Sequence, residues 1–357
     1  MGFPGGGDGV EWGNGKAGCR MNVCVIGDGG WGSALALVLE RNGHRVKIWG
    51  PDAAYLEEVR RTRVNSRFLP QVRMAGNLDW TADPAAAVEG SEAIVFVVPS
   101  KYARATLRKF AAAGAPGGVP VASATKGFDE SSRKRMTELI REEWGCRAAA
   151  LSGPSIAPET AKGEPTAVTV AAEDPETAGF FQRLFTGGNF RVYTSDDVAG
   201  VELGGALKNV IALAAGICDG LGFGVNAKAA LVTRGSVEMA RLGRAMGAKA
   251  ETFAGLSGIG DLMVTCFSAQ SRNHTVGERL GKGEKLPDIL GGMVQVAEGV
   301  CTCGTAVALA KEHGVEAPIL EQMEAILEGG KDPREAVGAL MGRAMRRERD
   351  AAGPEGR

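Results

Sequence analysis

Lys208 is the residue best placed to move a proton. It lies in Val201–Gly216, whose ionisable residues are Glu202 and Lys208. Alanine, leucine and glycine make this run read as a helix apolar on nearly every side, and so buried. Helical spacing from Lys208 reaches Val201, Gly205, Ala212 and Ala215, all small or apolar. Lysine is almost never fully buried unless paired. Desolvation disfavours the ammonium and lowers its pKa, by up to about 3–5 at full burial. Such a lysine is a candidate proton donor. Two plainer readings stay open: it snorkels to the surface, or it neutralises Glu202.

Other chemistry-bearing residues cluster at turns. Lys126 follows the apolar run Pro120–Ala124, just past a predicted strand end, where it would polarise a carbonyl or hold a phosphate. Asp261 stands in Gly258-Ile259-Gly260-Asp261, a glycine-flanked loop that offers a buried lysine a partner or caps a helix. Ser152-Gly153-Pro154-Ser155 is either an anion cradle of backbone N–H groups or a plain turn. Ser271-Arg272-Asn273 opens a short helix to about Gly281, with the makings of a phosphate site or of a solvent-facing cap. The three histidines, His44, His274 and His313, are too few and too scattered for a histidine triad or multi-histidine zinc site. Acid–base work therefore falls to lysine or carboxylate. Cys301-Thr302-Cys303 is a weak metal hint, and no metal is expected.

Gly27-x-Gly29-x-x-Gly32 has the context that gives such a motif meaning: strand Asn22–Ile26 before it and a helix from Ser33 to about Arg41 after it. The first glycine makes the tight turn, the second admits a pyrophosphate to the backbone, and the third lets helix pack on strand. The helix N-terminus then offers free N–H groups to the anion. The second strand, Val46–Trp49, ends in Gly50-Pro51-Asp52. Asp52 lies where an acid would take the adenosine ribose 2′-hydroxyl, or it caps the next helix. Arg60, Arg61 and Arg63 are close enough in sequence to serve a 2′-phosphate, so NAD and NADP both stay open.

Further strands are predicted at Ala93–Val98, Pro120–Ala124 and Ala148–Ser152, alternating with helices at Ala53–Asn65, Lys101–Ala113 and Ser131–Trp144. Alternation of this kind argues an α/β domain with a mostly parallel, doubly covered sheet. After about Ser195 helices dominate, at Val198–Gly216, Ala227–Met246, Thr305–His313 and Ile319–Glu328, with no further strands expected. The expected organisation is a disordered extension (1–20), with Met21 as an alternative start, a Rossmann-like dinucleotide-binding domain (21–195), an all-α substrate domain (196–345) and a flexible tail (346–357). A chain of 357 residues suits two domains. Net charge is −1, which argues for neither nucleic acid nor an anionic membrane. No apolar stretch is expected to reach the ~20 residues that span a bilayer. Seven cysteines without a C-x-x-C fit reduced thiols in the cytosol better than a disulfide framework.

From Val25 to about Arg347 the chain resembles bacterial-type NAD(P)-dependent glycerol-3-phosphate dehydrogenases. The resemblance rests on IGDGGWGSALA, NGHRVKIWG, NSRFLP, VVPS, ATKG, SGPS, GVELGGALKNVIALAAGICDGLGFGVNAKAALVTRG, GIGDLMVTC, QSRN and AEG. It implies NAD(P)-linked interconversion of dihydroxyacetone phosphate and sn-glycerol 3-phosphate, supplying phospholipid synthesis, in a cytoplasmic homodimer. It implies that Lys208 is the proton donor and that Lys126, Asp261 and Asn209 are catalytic with it, Asp261 supporting Lys208 and Lys126 lying between cofactor and substrate. Gly153, Ser155, Ser271, Arg272 and Asn273 would hold the substrate, the last three its phosphate. Gly27, Gly29, Gly30, Trp31, Gly32, Ala157, Arg272, Val296 and Glu298 would contact the cofactor. Two departures stand out. Pro51 replaces the family's basic residue after Trp-Gly, which favours NAD. Ile156-Ala157-Pro158-Glu159 replaces an aromatic followed by Ala-Lys-Glu. Alternatives from the residues are a 3-hydroxy-acid or sugar-acid dehydrogenase, and a nicotinamide-sensing module without turnover.

Overall fold

The computed structural model describes residues 20–114, 117–345 and 347–348. The expected extension at 1–19 and nearly all of the expected tail lie outside the described residues. The first half alternates strand and helix: β1 (Asn22–Ile26), α1 (Gly30–Arg41), β2 (Arg45–Trp49), α2 (Ala53–Thr62), β3 (Val64–Asn65), β4 (Leu69–Arg73), β5 (Asp79–Thr81), α3 (Pro84–Val88), β6 (Ala93–Phe96), α4 (Ser100–Ala112), β7 (Val121–Ser123), α5 (Met136–Trp144) and β8 (Ala148–Ser152). It continues through α6 (Ala157–Lys162), β9 (Thr166–Ala172), α7 (Pro175–Phe185) and β10 (Phe190–Ser195). Eight strands form one sheet in the order β10-β9-β8-β7-β6-β1-β2-β5, and β3 pairs with β4 apart from it. Every pair in the large sheet is parallel except β8 with β9.

The alternation within strands explains the double cover. Val23 and Val25 of β1 join one core with Leu35, Leu39 and Phe181, while Cys24 and Ile26 join the other with Phe96, Phe110 and Leu139. Both faces are buried, so the strands read as continuous apolar runs. The chain moves outward from β1 through β2 to β5, then returns to β6 on the other side of β1. This reversal opens a crevice at the carboxyl ends of β1 and β6, where ligands of such sheets bind.

From Val198 onward the described elements are helical: α8 (Val198–Gly220), α9 (Val225–Ala245), α10 (Ala250–Phe253), a π-helical turn (Leu256–Gly260), α11 (Asp261–Phe267), α12 (Arg272–Gly281), α13 (Leu286–Gly291), α14 (Glu298–Glu312), α15 (Pro318–Leu327) and α16 (Pro333–Met341). They enclose α8, whose residues Leu203, Leu207, Ile211 and Leu213 are fully buried. Contrary to the expectation from sequence, α8 is long and apolar enough to cross a membrane by composition. Glu202 and Lys208 interrupt the run but do not offset its length, and here the helix is the core of this layer.

Several local expectations need correction. Helix α2 stops at Thr62 rather than Asn65, because Arg63 takes a left-handed φ of 59° and releases its chain into β3. Helix α5 begins at Met136 rather than Ser131. The Asp129 carboxylate gathers the Ser131 and Ser132 hydroxyls, the Ser132 N–H and Arg104, which holds 129–135 in a turn. Strands β9 and β10 were hidden in a mixed alanine, threonine and aromatic stretch. Helix α14 starts at Glu298, well before Thr305, because Cys301, Thr302 and Cys303 continue the helix rather than forming a loop. Among the described residues no group of three or more His, Cys, Asp or Glu side chains could hold a metal ion.

Candidate active site in the cleft between sheet and helices

The cofactor end is built by close approach. Gly27 takes φ +126°, and a Cβ there would meet the Val97 carbonyl at 2.7 Å. A Cβ on Gly32 would sit 2.0 Å from the Gly27 oxygen, so α1 can pack on β1 only with glycine at this position. A Cβ on Gly30 would strike the Phe68 carbonyl at 2.7 Å and lie 3.8 Å from the Ala157 Cβ. Gly29 differs: nothing lies within 4 Å of its missing Cβ. It precedes α1, whose N-terminus has no side-chain cap. The Trp31 indole Nε1 is buried with no hydrogen-bond partner. An open glycine, an uncapped helix dipole and an unpaired donor together fit a dinucleotide pyrophosphate.

The candidate proton-transfer end comes from four segments. Lys208 is 5% exposed and Asp261 2%. Lys208 Nζ lies 2.9 Å from Asp261 Oδ1, and Lys126 Nζ lies 2.6 Å from Asp261 Oδ2. One carboxylate thus bridges two ammonium groups. Lys126 also donates to the Gly153 carbonyl at 3.1 Å and to Ser155 Oγ at 3.0 Å. Lys208 donates to Thr265 Oγ1 at 2.6 Å, and that hydroxyl donates to the Asp261 carbonyl. Burial lowers the Lys208 pKa to about 8; Asp261 opposes this shift and the Lys126 charge adds to it.

Two glycines of α8 make the arrangement possible. A Cβ on Gly204 would lie 2.5 Å from the Ser257 carbonyl, so the π-helical turn rests directly on α8 and starts α11 at Asp261. A Cβ on Gly205 would lie 2.6 Å from Ser152 Oγ and 3.5 Å from Lys126 Cγ. The bare helix face admits the ends of β7 and β8 on which Lys126 and Gly153 are carried. Gly153 itself takes φ +143°, which turns its carbonyl toward Lys126.

The third part surrounds the N-terminus of α12. Ser271 caps it by accepting from the His274 N–H. Asn273 is buried; its Nδ2 donates to Asn209 Oδ1 and its Oδ1 accepts from the Gly299 N–H, both at 2.9 Å. Arg272 is exposed and donates to the Val296 carbonyl at 2.9 Å. Glu298 accepts from the N–H and hydroxyl of Ser100 at 3.0 and 2.5 Å, which ties α14 to the start of α4 across the cleft. The side chains of Asn209, Asn273 and Glu298 are therefore spent on one another or on capping. Arg272 keeps a free face.

Sequence reasoning missed Thr265, although it follows Asp261 by one helical turn and so shares its face. It also missed the partner of Glu202. That carboxylate accepts from Arg135 Nη1 and from the Thr137 N–H and hydroxyl, so it links α8 to α5 and is not the partner of Lys208. Asp52 proves to be a helix cap: Oδ1 accepts from the Tyr55 N–H and Oδ2 pairs with Arg67 at 2.8 Å.

Comparisons with known proteins identify the family. Residues 22–178 match the family described as NAD-dependent glycerol-3-phosphate dehydrogenase N-terminus, and 197–338 match its C-terminus. A glycerol-3-phosphate dehydrogenase (NAD(P)+) of Syntrophotalea carbinolica is 49% identical over 334 residues, covering 92% of this chain and all of the relative. That of Geobacter sulfurreducens is 49% identical over 331 residues, 92% of this chain and 98% of the relative. The crystal structure of glycerol-3-phosphate dehydrogenase from Coxiella burnetii superposes with a TM-score of 0.87 at 38% identity, covering 91% of this chain and 99% of that one. With its nucleotide crevice and its lysine–aspartate–lysine bridge, the chain belongs to the NAD-dependent glycerol-3-phosphate dehydrogenase family.

Proposed function

We propose that this chain interconverts dihydroxyacetone phosphate and sn-glycerol 3-phosphate with a nicotinamide dinucleotide. The observation that carries the reading is Lys208, buried beside Asp261 with its pKa brought down to about 8. When bound, the reduced nicotinamide supplies a hydride to the ketone carbon. Lys208 gives its Nζ proton to the oxygen that becomes the hydroxyl, and in the reverse direction takes it back as the neutral amine. Asp261 orients Lys208 and balances both ammonium groups. Lys126 stabilises negative charge on the carbonyl oxygen as it develops. Gly153 and Ser155 hold Lys126 and flank the substrate. Arg272 and the first N–H groups of α12 take the phosphate, with Ser271 capping that helix. Asn209 and Asn273 act by fixing α8, α12 and α14 against one another. Glu298, Val296 and Ala157 shape the cofactor wall.

We also place the division between the nucleotide-binding and substrate domains at 195/196, and the enzyme in the cytoplasm as a homodimer that feeds phospholipid synthesis. The exposed apolar side chains of Val225, Met263 and Phe267 at the α9–α11 contact offer a face to a second copy. Sedimentation of a monomer at micromolar concentration would refute the dimer. The reaction is tested by absorbance of the reduced nicotinamide with purified protein and dihydroxyacetone phosphate. Steady loss of absorbance is expected, and no loss despite cofactor binding would overturn the reading.

A further inference from the structure

We infer that Asp28, inside the glycine loop, is the acid that reads the adenosine ribose and that it sets the enzyme toward NAD(H) and against NADP(H). The inference rests on the cofactor site proposed above. Acids of this kind ordinarily stand at the end of the second strand, about twenty residues past the glycines. Here β2 ends at Trp49, and Gly50 and Pro51 follow without a polar side chain. Asp52, the next residue, has both oxygens engaged, one capping α2 and one on Arg67.

Asp28 fills the gap. A Cβ on Gly50 would lie 2.5 Å from Asp28 Cγ and 2.6 Å from its Oδ2. The Asp28 carboxyl therefore occupies the space over the strand end from which a β2 acid would otherwise project. It is 8% exposed. Its backbone is fixed, since the Asp28 carbonyl accepts from Asn65 Nδ2 at 2.7 Å and Ser33 Oγ at 3.3 Å. A carboxylate here accepts hydrogen bonds from ribose hydroxyls. A 2′-phosphate would remove one of those donors and bring its own negative charge against the carboxylate.

Two of the nearby arginines are already matched. Arg67 pairs with Asp52 and lies over the Tyr55 ring at 3.9 Å. Arg60 is turned to β5, donating to the Trp80 carbonyl at 2.6 Å and pairing with Glu57 and Asp79. Asp28, Asp52 and Arg67 leave an excess of one negative charge around the strand end.

The test is calorimetric titration of the full chain with NAD+ and NADP+, which needs no turnover. Wild type should bind NADP+ at least about tenfold more weakly, as expected for a lost hydrogen bond to a charged acceptor. D28N keeps the shape but removes the charge, and should narrow that ratio to within about threefold, mainly by tightening NADP+. D52N should leave the ratio within about twofold of wild type. Equal or tighter NADP+ binding by wild type would overturn the inference. So would a ratio that moves with D52N or R67A and not with D28N. The expected ratios without any oxidation of NADH by dihydroxyacetone phosphate would uphold Asp28 and refute the proposed reaction.

Discussion

Replacing Asp261 by asparagine isolates what the carboxylate does to Lys208. Free lysine titrates near 10.4. Burial and the Lys126 charge together outweigh Asp261 and leave Lys208 near 8. The difference corresponds to about 3 kcal/mol favouring the neutral amine. Ketone reduction needs the ammonium, so wild-type kcat/KM for reduction should be level up to about pH 8 and fall tenfold per pH unit beyond. Alcohol oxidation needs the amine and should rise with pH until the same point. In D261N the opposite charge 2.9 Å from Nζ is gone while the burial and the like charge stay. Loss of an opposite charge this close lowers a lysine pKa by about 1–3. The limb should then fall to between about pH 5 and 7, and reduction at pH 8, where half of the wild-type lysine is protonated, should drop about 5- to 500-fold, with a smaller loss at pH 6.5. The assay is kcat/KM for dihydroxyacetone phosphate at saturating NADH from pH 6.5 to 10. A D261N limb at or above that of wild type would refute the argument, because the carboxylate would then not be what keeps Lys208 protonated.

K208M should abolish turnover by at least about 1000-fold while the protein keeps or gains thermal stability, since Asp261 retains Lys126 as its partner; a fall in Tm together with residual turnover would contradict both halves. G204A should cost about 1–3 kcal/mol in urea unfolding and lower kcat, because its Cβ meets a backbone carbonyl 2.5 Å away and must push Asp261 off Lys208; an unchanged kcat would show the contact to be slack. E202A should lose about 1–3 kcal/mol of unfolding free energy, because the Thr137 N–H and hydroxyl lose their acceptor while Arg135 keeps Glu138, and a loss under about 0.5 kcal/mol would show the link between α8 and α5 to be minor. Glu238 is buried, accepts from the Ile319 and Leu320 N–H groups, and has its pKa pushed up to about 7. Its folded form therefore binds a proton that the unfolded chain releases, and stability falls as pH rises from about 4.5 to 7, by up to about 3 kcal/mol. E238Q should flatten that slope in unfolding titrations across pH 4.5–8, and an unaltered slope would remove Glu238 as its source.

Much of the site was legible because single residue types carry it. A lysine in an apolar helix, a glycine triplet between strand and helix, and an aspartate between glycines each announce a physical demand that few alternatives satisfy. The parallel strands β1, β2, β6 and β7 were legible for the same reason, being short apolar runs bounded by turns. Strands β9 and β10 were not. Ala167, Thr169 and Arg191 dilute their pattern, and what makes them strands is pairing with the strand just before in the chain, β9 with β8 in antiparallel register and β10 with β9 in parallel. The partner of Glu202 was equally hidden. Glu202 and Lys208 share a helix, yet each finds its counter-ion on another element, Arg135 and Asp261 respectively.

The partners of α8 follow from one geometric fact about that helix. A helix buried on all sides must give every polar group it carries a specific neighbour, and glycine decides where a neighbour can approach. Gly204 admits the turn that delivers Asp261, and Gly205 admits Ser152 and Lys126. Further along, Gly216 and Gly277 bring α8 and α12 to backbone contact, with would-be Cβ atoms 2.1 and 2.0 Å from the His274 and Leu213 carbonyls. That contact sets the α12 N-terminus, and Arg272 with it, relative to Lys208. The proposed proton donor and phosphate site are thus held at fixed separation by one helix. A substrate of the right length between phosphate and carbonyl is aligned by binding alone, while a shorter or longer one meets Lys208 out of position.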